Sequence, residues 1–229
     1  MATLELRISQ VRRATPTTRQ FRVDLAGASF PYQPGQAVIL AVGGDFRMPY
    51  SIASAPLETD RGGYLELLTR IEPGTRLSDV KRGSRVTLQG PFGSFIFPAA
   101  PSERSFLFVA GGTGIAPLRS MIRQAVLSGQ QGNLHLLYSA RTPADFAYLP
   151  ELRKLARDKK LDLAITATRE VPARWRGDRG RITRDRVAAL IDTPETLSFV
   201  CGPASMVDDV PRMLRELGVS EERIRIEEW

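Results

Sequence analysis

Residues 108–117 read FVAGGTGIAP, an apolar run broken by Gly111, Gly112 and Gly114 around Thr113. Glycine admits positive φ and leaves the backbone open to close approach. A helix opening directly after such a turn offers unpaired N–H groups and a partial positive charge, which suit a phosphate. Pro117 fits the first turn of that helix, where no N–H is needed. The pattern is not G-x-G-x-x-G, and a glycine-rich turn without a ligand is the alternative reading. Other chemistry is scarce. The chain has one cysteine, Cys201, and one histidine, His135, inside LHLLY. A single thiol excludes an internal disulfide and an iron–sulfur cluster held by four thiolates. A single histidine leaves little for a metal site or a serine–histidine triad. No metal is expected, and His135 reads as a strand residue.

These groups need elements to hold them. LELRISQV and RQFRVDLA alternate apolar with polar, the period of a half-buried strand. QAVILAV, PYSIASA, YLELLTRI, SRVTLQG and SFIFP follow, punctuated by Gln33-Pro34-Gly35, Gly62-Gly63 and Gly90-Pro91. Short strands so punctuated predict a closed antiparallel β-barrel. The grammar changes near AAPSE, residues 99–103. Beyond it, the strands SFLFVA, LHLLYSA, LDLAITAT, TLSFVCG and RIRIEEW alternate with helices over 115–127, 148–157, 184–191 and 204–217. That order predicts a doubly wound parallel α/β domain. The expected organisation is a barrel over 1–100 and an α/β domain over 101–229.

The 229 residues carry 32 Lys+Arg against 25 Asp+Glu, a net charge of +7. The arginines are spread out and aromatics are only 7%, so no stacking platform for nucleic acid is visible. Anionic cofactors, an acidic protein partner or a plain solvated basic surface each account for the excess. No apolar run approaches the roughly 18–20 residues of a membrane span. The start, MATLELRISQ, alternates where a signal peptide would be continuously apolar. A cytoplasmic protein is expected.

RMPYSIASAP at 47–56, GPFGSF at 90–95, GGTGIAP at 111–117 and CGP at 201–203 occur in this order. The set resembles the ferredoxin–NADP reductase superfamily over essentially the whole chain. It is most similar to the bacterial flavin-dependent members without an attached iron–sulfur domain. The resemblance implies a barrel that holds FAD, or FMN in some members, and an α/β domain that holds NADH or NADPH. It implies Tyr50 against the flavin ring, a catalytic Ser51 near its N5, and Ile52 beside them. Gly74, Thr75, Leu77 and Ser78 match a phosphate-binding turn, and Gly112, Thr113 and Gly114 the dinucleotide loop. Catalytic Cys201, with Gly202, Pro203 and Met206, matches the motif beside the nicotinamide. Plant-type members end in an aromatic stacked on the flavin, with a carboxylate two residues earlier; Trp229 and catalytic Glu227 stand there. One position departs from the pattern. The family's arginine for the flavin pyrophosphate, two residues before the tyrosine, is Met48 here. Arg47, Arg70 or Arg76 would have to replace it, with Arg47 offset to the other face of a strand.

A domain selecting NAD often sets Asp or Glu after its second strand. Here Arg141 follows LLYSA, and Thr168-Arg169 resembles the pair that grips the 2′-phosphate in NADPH-using members. Arg174, Arg176, Arg179 and Arg181 follow closely, so NADPH is favoured over NADH. The implied activity is hydride transfer from NAD(P)H to bound flavin, then electron transfer to a separate carrier. That carrier would be an acidic ferredoxin or flavodoxin, or an oxygenase component. The alternatives are an NAD(P)H:flavin reductase that releases reduced flavin and a non-catalytic flavin-bearing subunit.

Overall fold

The computed structural model describes residues 2–43, 46–71, 74–169 and 171–228. The chain forms two compact units, 1–97 with 116–129 and 98–115 with 130–229. Among the described residues no helix is long and apolar enough to cross a membrane.

The first unit is built on six strands: β1 (Ala2–Thr15), β2 (Thr18–Asp24), β3 (Ala37–Val42), β4 (Phe46–Ser51), β5 (Tyr64–Arg70) and β6 (Arg85–Phe92). They pair antiparallel in the order β4-β3-β6-β1-β2-β5. The sheet curls until its edge strands meet at one bridge, Ile52 to Leu67. Period-2 alternation decides what lies inside. Leu6, Ile8, Phe21, Val23, Val38, Leu40, Leu65, Leu67 and Leu88 form the core of this unit.

Two details differ from the sequence expectation. SFIFP is not a strand. Phe95 and Phe97 are buried, but the Phe97 N–H bonds the carbonyl of Pro34, and Pro34 has no N–H to return. A short helix, α1 (Pro56–Gly62), follows β4. Its signals were present: proline at its first turn, Glu58 three residues after the cap, and Gly63 at φ +67° beyond its end.

The second unit holds a six-stranded sheet of β7 (Ser105–Gly111), β8 (Asn133–Ala140), β9 (Asp162–Ala167), β10 (Asp178–Arg179), β11 (Leu197–Gly202) and β12 (Ile224–Glu228). These run parallel in the order β10-β9-β8-β7-β11-β12. Every residue of β7 and β11 is buried, as expected for central strands of a parallel sheet. The helices are α2 (Ile115–Ser128), α3 (Leu149–Arg157), α4 (Arg184–Ala188) and α5 (Ala204–Glu216). Val187 of α4 and Val207, Val210 and Leu214 of α5 pack with Leu107, Val109, Leu137 and Val200 of the sheet. Residues 116–129, which are all of α2 but Ile115 together with Gly129 after it, group with the first unit. His135 is the strand residue expected of it, buried on β8 with Nε2 2.9 Å from Asp192 Oδ2.

Candidate functional site

The chain runs from β7 to β8 and β9 on one side, then returns to β11 on the other side of β7. Such a reversal opens a crevice beyond the carboxyl ends of the strands. A cleft of about 330 Å³ lies there, with Gly111, Gly112, Arg141, Thr168, Arg181 and Met206 in its wall. Of the loop glycines, Gly112 takes a left-handed φ of +53°. Its carbonyl accepts a 3.0 Å bond from Tyr138 Oη, which in turn accepts the Ala147 N–H at 3.2 Å. Burial pushes the Tyr138 phenol upward, so it stays a neutral donor that pins the turn from beneath.

Gly111 and Gly202 serve a different purpose. A Cβ on Gly202 would sit 2.6 Å from the Met206 sulfur. One on Gly111 would sit 2.8 Å from Pro203 Cδ and 2.9 Å from Met206 Cε. The two glycines make room for a thioether at the cleft floor, and Pro203 and Met206 both line the cleft. These bare surfaces and arginines fit an anionic dinucleotide.

Cys201 is fully buried and is not in the cleft wall. Parallel pairing of β11 with β12 sets it opposite Glu227, and its sulfur lies 3.9 Å from Glu227 Oε2. Burial, then the Glu227 charge, pushes the thiol well above its ordinary 9.0. It stays protonated and does no nucleophilic work. Trp229 lies outside the described residues.

Thr168 and Arg169 are exposed past the end of β9, and the Arg169 N–H bonds the Arg141 carbonyl at 2.9 Å. Arg141 and Arg181 line the cleft itself. From the sequence, Arg141 already stood out as the residue in place of an NAD-selecting carboxylate, whereas Arg181 was only one of a basic stretch.

In the first unit, β4 is an edge strand. Phe46, Met48 and Tyr50 oppose Val42, Leu40 and Val38 of β3, and Phe46 and Tyr50 pack on the barrel core. Burial pushes the half-buried Tyr50 phenol up to about 12. Met48, on the same face, is 47% exposed. A half-covered ring beside an uncovered thioether is a surface that a flat apolar ring would fit.

Arg47 stands on the opposite face, with Nη2 2.6 Å from Gln89 Oε1. The structure does not bring it to the side of Tyr50. Arg70 is exposed at the end of β5, and the Arg76 guanidinium donates to the Gly43 carbonyl. The Ile52 side chain is sealed in the core, and its N–H bonds the Gln36 carbonyl at 2.9 Å. Gly74, at φ +80°, opens the Thr75–Ser78 turn. Leu77 anchors that turn in the core, and Ser78 Oγ donates to the Thr75 carbonyl at 2.6 Å.

A curled antiparallel sheet with a half-covered aromatic edge and a parallel sheet with a basic cleft define a two-module architecture of the nucleotide-binding kind. Residues 108–212 match the oxidoreductase NAD-binding domain family. Over 98% of its length the chain is 34% identical to ferredoxin–NADP reductase B of Sorangium cellulosum (strain So ce56), and it covers 97% of that protein. The ferredoxin reductase in carbazole 1,9a-dioxygenase superposes with a TM-score of 0.85 at 26% identity, over 99% of this chain and 69% of that one. A ferredoxin NADP+ reductase from Neisseria gonorrhoeae with bound FAD and NADP has the same fold, with a TM-score of 0.82 at 21% identity over 99% and 98% of the two chains. The chain belongs to the ferredoxin–NADP reductase family.

Proposed function

We propose that this enzyme takes reducing equivalents from NAD(P)H, with NADPH preferred, and passes them through FAD to a separate carrier. The carrier is an acidic ferredoxin or flavodoxin, or an oxygenase component. The observation that supports this most is the cleft beyond β7, β8 and β11, with a glycine turn and two arginines in one wall. The flavin, when bound, supplies a hydride acceptor that can release electrons singly.

The chain's own residues bind and orient. Tyr50 gives the flavin an aromatic wall and stays neutral, its phenol raised to about 12. Ser51 offers a hydroxyl near N5. The Gly74–Ser78 turn meets the flavin phosphates through backbone N–H groups, with Leu77 holding the turn to the core. Gly112, Thr113 and Gly114 receive the dinucleotide pyrophosphate. Pro203 and Met206 floor the cleft, with Gly111 leaving room for both and Gly202 for the Met206 thioether. Thr168, Arg169, Arg141 and Arg181 take the 2′-phosphate. Burial and Glu227 keep the Cys201 thiol proton-bearing, directly before the Gly202-Pro203 turn that takes the nicotinamide end. The excess of positive charge steers an acidic partner, and added salt slows that encounter.

Met48 supports a second reading. With no arginine on the Tyr50 face of β4, the flavin phosphates are held more weakly, and the enzyme would reduce and release free flavin. A visible spectrum of the purified protein, before and after anaerobic NADPH, separates these readings. A retained yellow flavin that bleaches supports the electron-transfer reductase. A colourless protein that reduces added flavin supports the second reading. A protein that takes up no flavin in either form overturns both.

Arg181→Ala is expected to lower kcat/KM for NADPH by about ten- to a hundredfold, the worth of a charge-assisted hydrogen bond. The value for NADH should stay within about twofold, because only the 2′-phosphate differs. An equal fall for both cofactors would refute the preference.

A further inference from the structure

We infer that Arg119, on α2, is a positioning residue for the flavin: its guanidinium holds the backbone that presents Tyr50 and Ser51. This rests on the reading that Tyr50 and Ser51 face the flavin.

Ser51 is the last residue of β4 paired with β3. The next four residues, Ile52, Ala53, Ser54 and Ala55, are fully buried and largely irregular. A buried irregular segment must satisfy each backbone polar group. The barrel does part of this. The Ile52 N–H bonds the Gln36 carbonyl at 2.9 Å, and the Ala53 N–H bonds the Glu66 carbonyl at 2.8 Å. The carbonyls turn to α2. Arg119 Nη1 donates to the Ala53 carbonyl at 2.7 Å, and Ser120 Oγ to the Ser54 carbonyl at 2.7 Å.

Arg119 is itself buried, and Glu58 of α1 fixes its orientation. Arg119 Nη1 lies 3.0 Å from Glu58 Oε2, and Arg123 Nε lies 2.8 Å from Glu58 Oε1. Glu58 Oε2 also accepts the Ala55 N–H at 3.0 Å. A buried ion pair is a poor way to gain stability, since apolar residues of like volume often serve as well. A guanidinium is, however, a rigid multi-donor fork. Here it ties a carboxylate on one helix to the carbonyl two residues past Ser51. Site groups must be held to within about 0.5 Å, and only a few neighbours can do that at the end of an edge strand.

The test compares wild type, Arg119→Lys and Ser120→Ala. Each is stripped of flavin and titrated with FAD by fluorescence quenching, alongside visible spectra, melting curves and NADPH kinetics. One ammonium cannot reproduce the fork. Arg119→Lys should raise the FAD Kd about tenfold. It should also shift the bound-flavin band and lower kcat with KM for NADPH unchanged. Ser120→Ala should move Kd and spectrum the same way by about threefold, with melting near wild type, because Tyr32 Oη still donates to the Ser54 carbonyl at 2.9 Å. Wild-type Kd and spectrum in both variants, whatever their melting temperatures, overturn the proposal. If Arg119→Lys does not fold, Ser120→Ala decides alone. A wild type that takes up no FAD defeats the underlying reading instead, a result visible before any variant is measured.

Discussion

Glu58→Ala is expected to lower the unfolding stability of the first unit by about 3–5 kcal/mol, the range for breaking a buried ion pair by removing one partner. Arg119 is only 6% exposed and would keep its charge after losing the Glu58 carboxylate. Arg123 and the Ala55 N–H would lose the same acceptor. Urea unfolding of wild type and variant measures the difference; a loss under about 1 kcal/mol would mean that the guanidiniums find other partners. The same group gives an acid-side signature. Burial alone would raise the Glu58 carboxyl, but Arg119, the Ala55 N–H and Arg123 outweigh it and hold the carboxyl below its ordinary 4.5. The folded value is therefore the lower one. Its contribution is full above the unfolded value and fades as pH falls through the folded one. Wild type and variant should converge as the solution is acidified below about pH 4, the range of an unfolded glutamate.

Gly202→Ala should raise KM for NADPH about tenfold or more, the scale of a 1–3 kcal/mol overpacking penalty. The new methyl would meet the Met206 sulfur at 2.6 Å and Gly111 Cα at 3.4 Å. Met206 is flexible and half-buried, so it yields, and the open direction is the cleft that it lines. The fold should survive while the dinucleotide loses its floor. The double variant Gly202→Ala/Met206→Ala should regain part of the lost affinity, because removing the thioether removes the collision. Additive effects in that cycle would show that the two side chains do not share this space.

Much of the architecture was written locally. Alternation in LELRISQV and RQFRVDLA marked half-buried strands, and SFLFVA and TLSFVCG marked strands whose complete burial the structure then showed. Glycine and proline punctuated both modules, and FVAGGTGIAP put a glycine turn at the end of a strand. Such signals are legible because they need only a few neighbouring residues and a fixed period. The short helix α1 was legible too, through Pro56, Glu58 and Gly63, although its few polar residues carry no periodic apolar face.

What the sequence could not assign were relations between distant positions. Nothing local says that Arg119 reaches a carbonyl 66 positions earlier. Nor does it say that Met206 fills the space over Gly111 and Gly202, or that Arg141 and Arg181 share one cleft wall. SFIFP looked like a strand, yet its neighbour at Pro34 could not return a bond. By itself, then, the sequence determined most of the strands and helices, SFIFP and α1 apart, their order, and which residue types were on hand for phosphate and ring binding. Tertiary structure alone decided which of those residues meet, because sheet order, register and the path of α2 are set by packing across the whole chain.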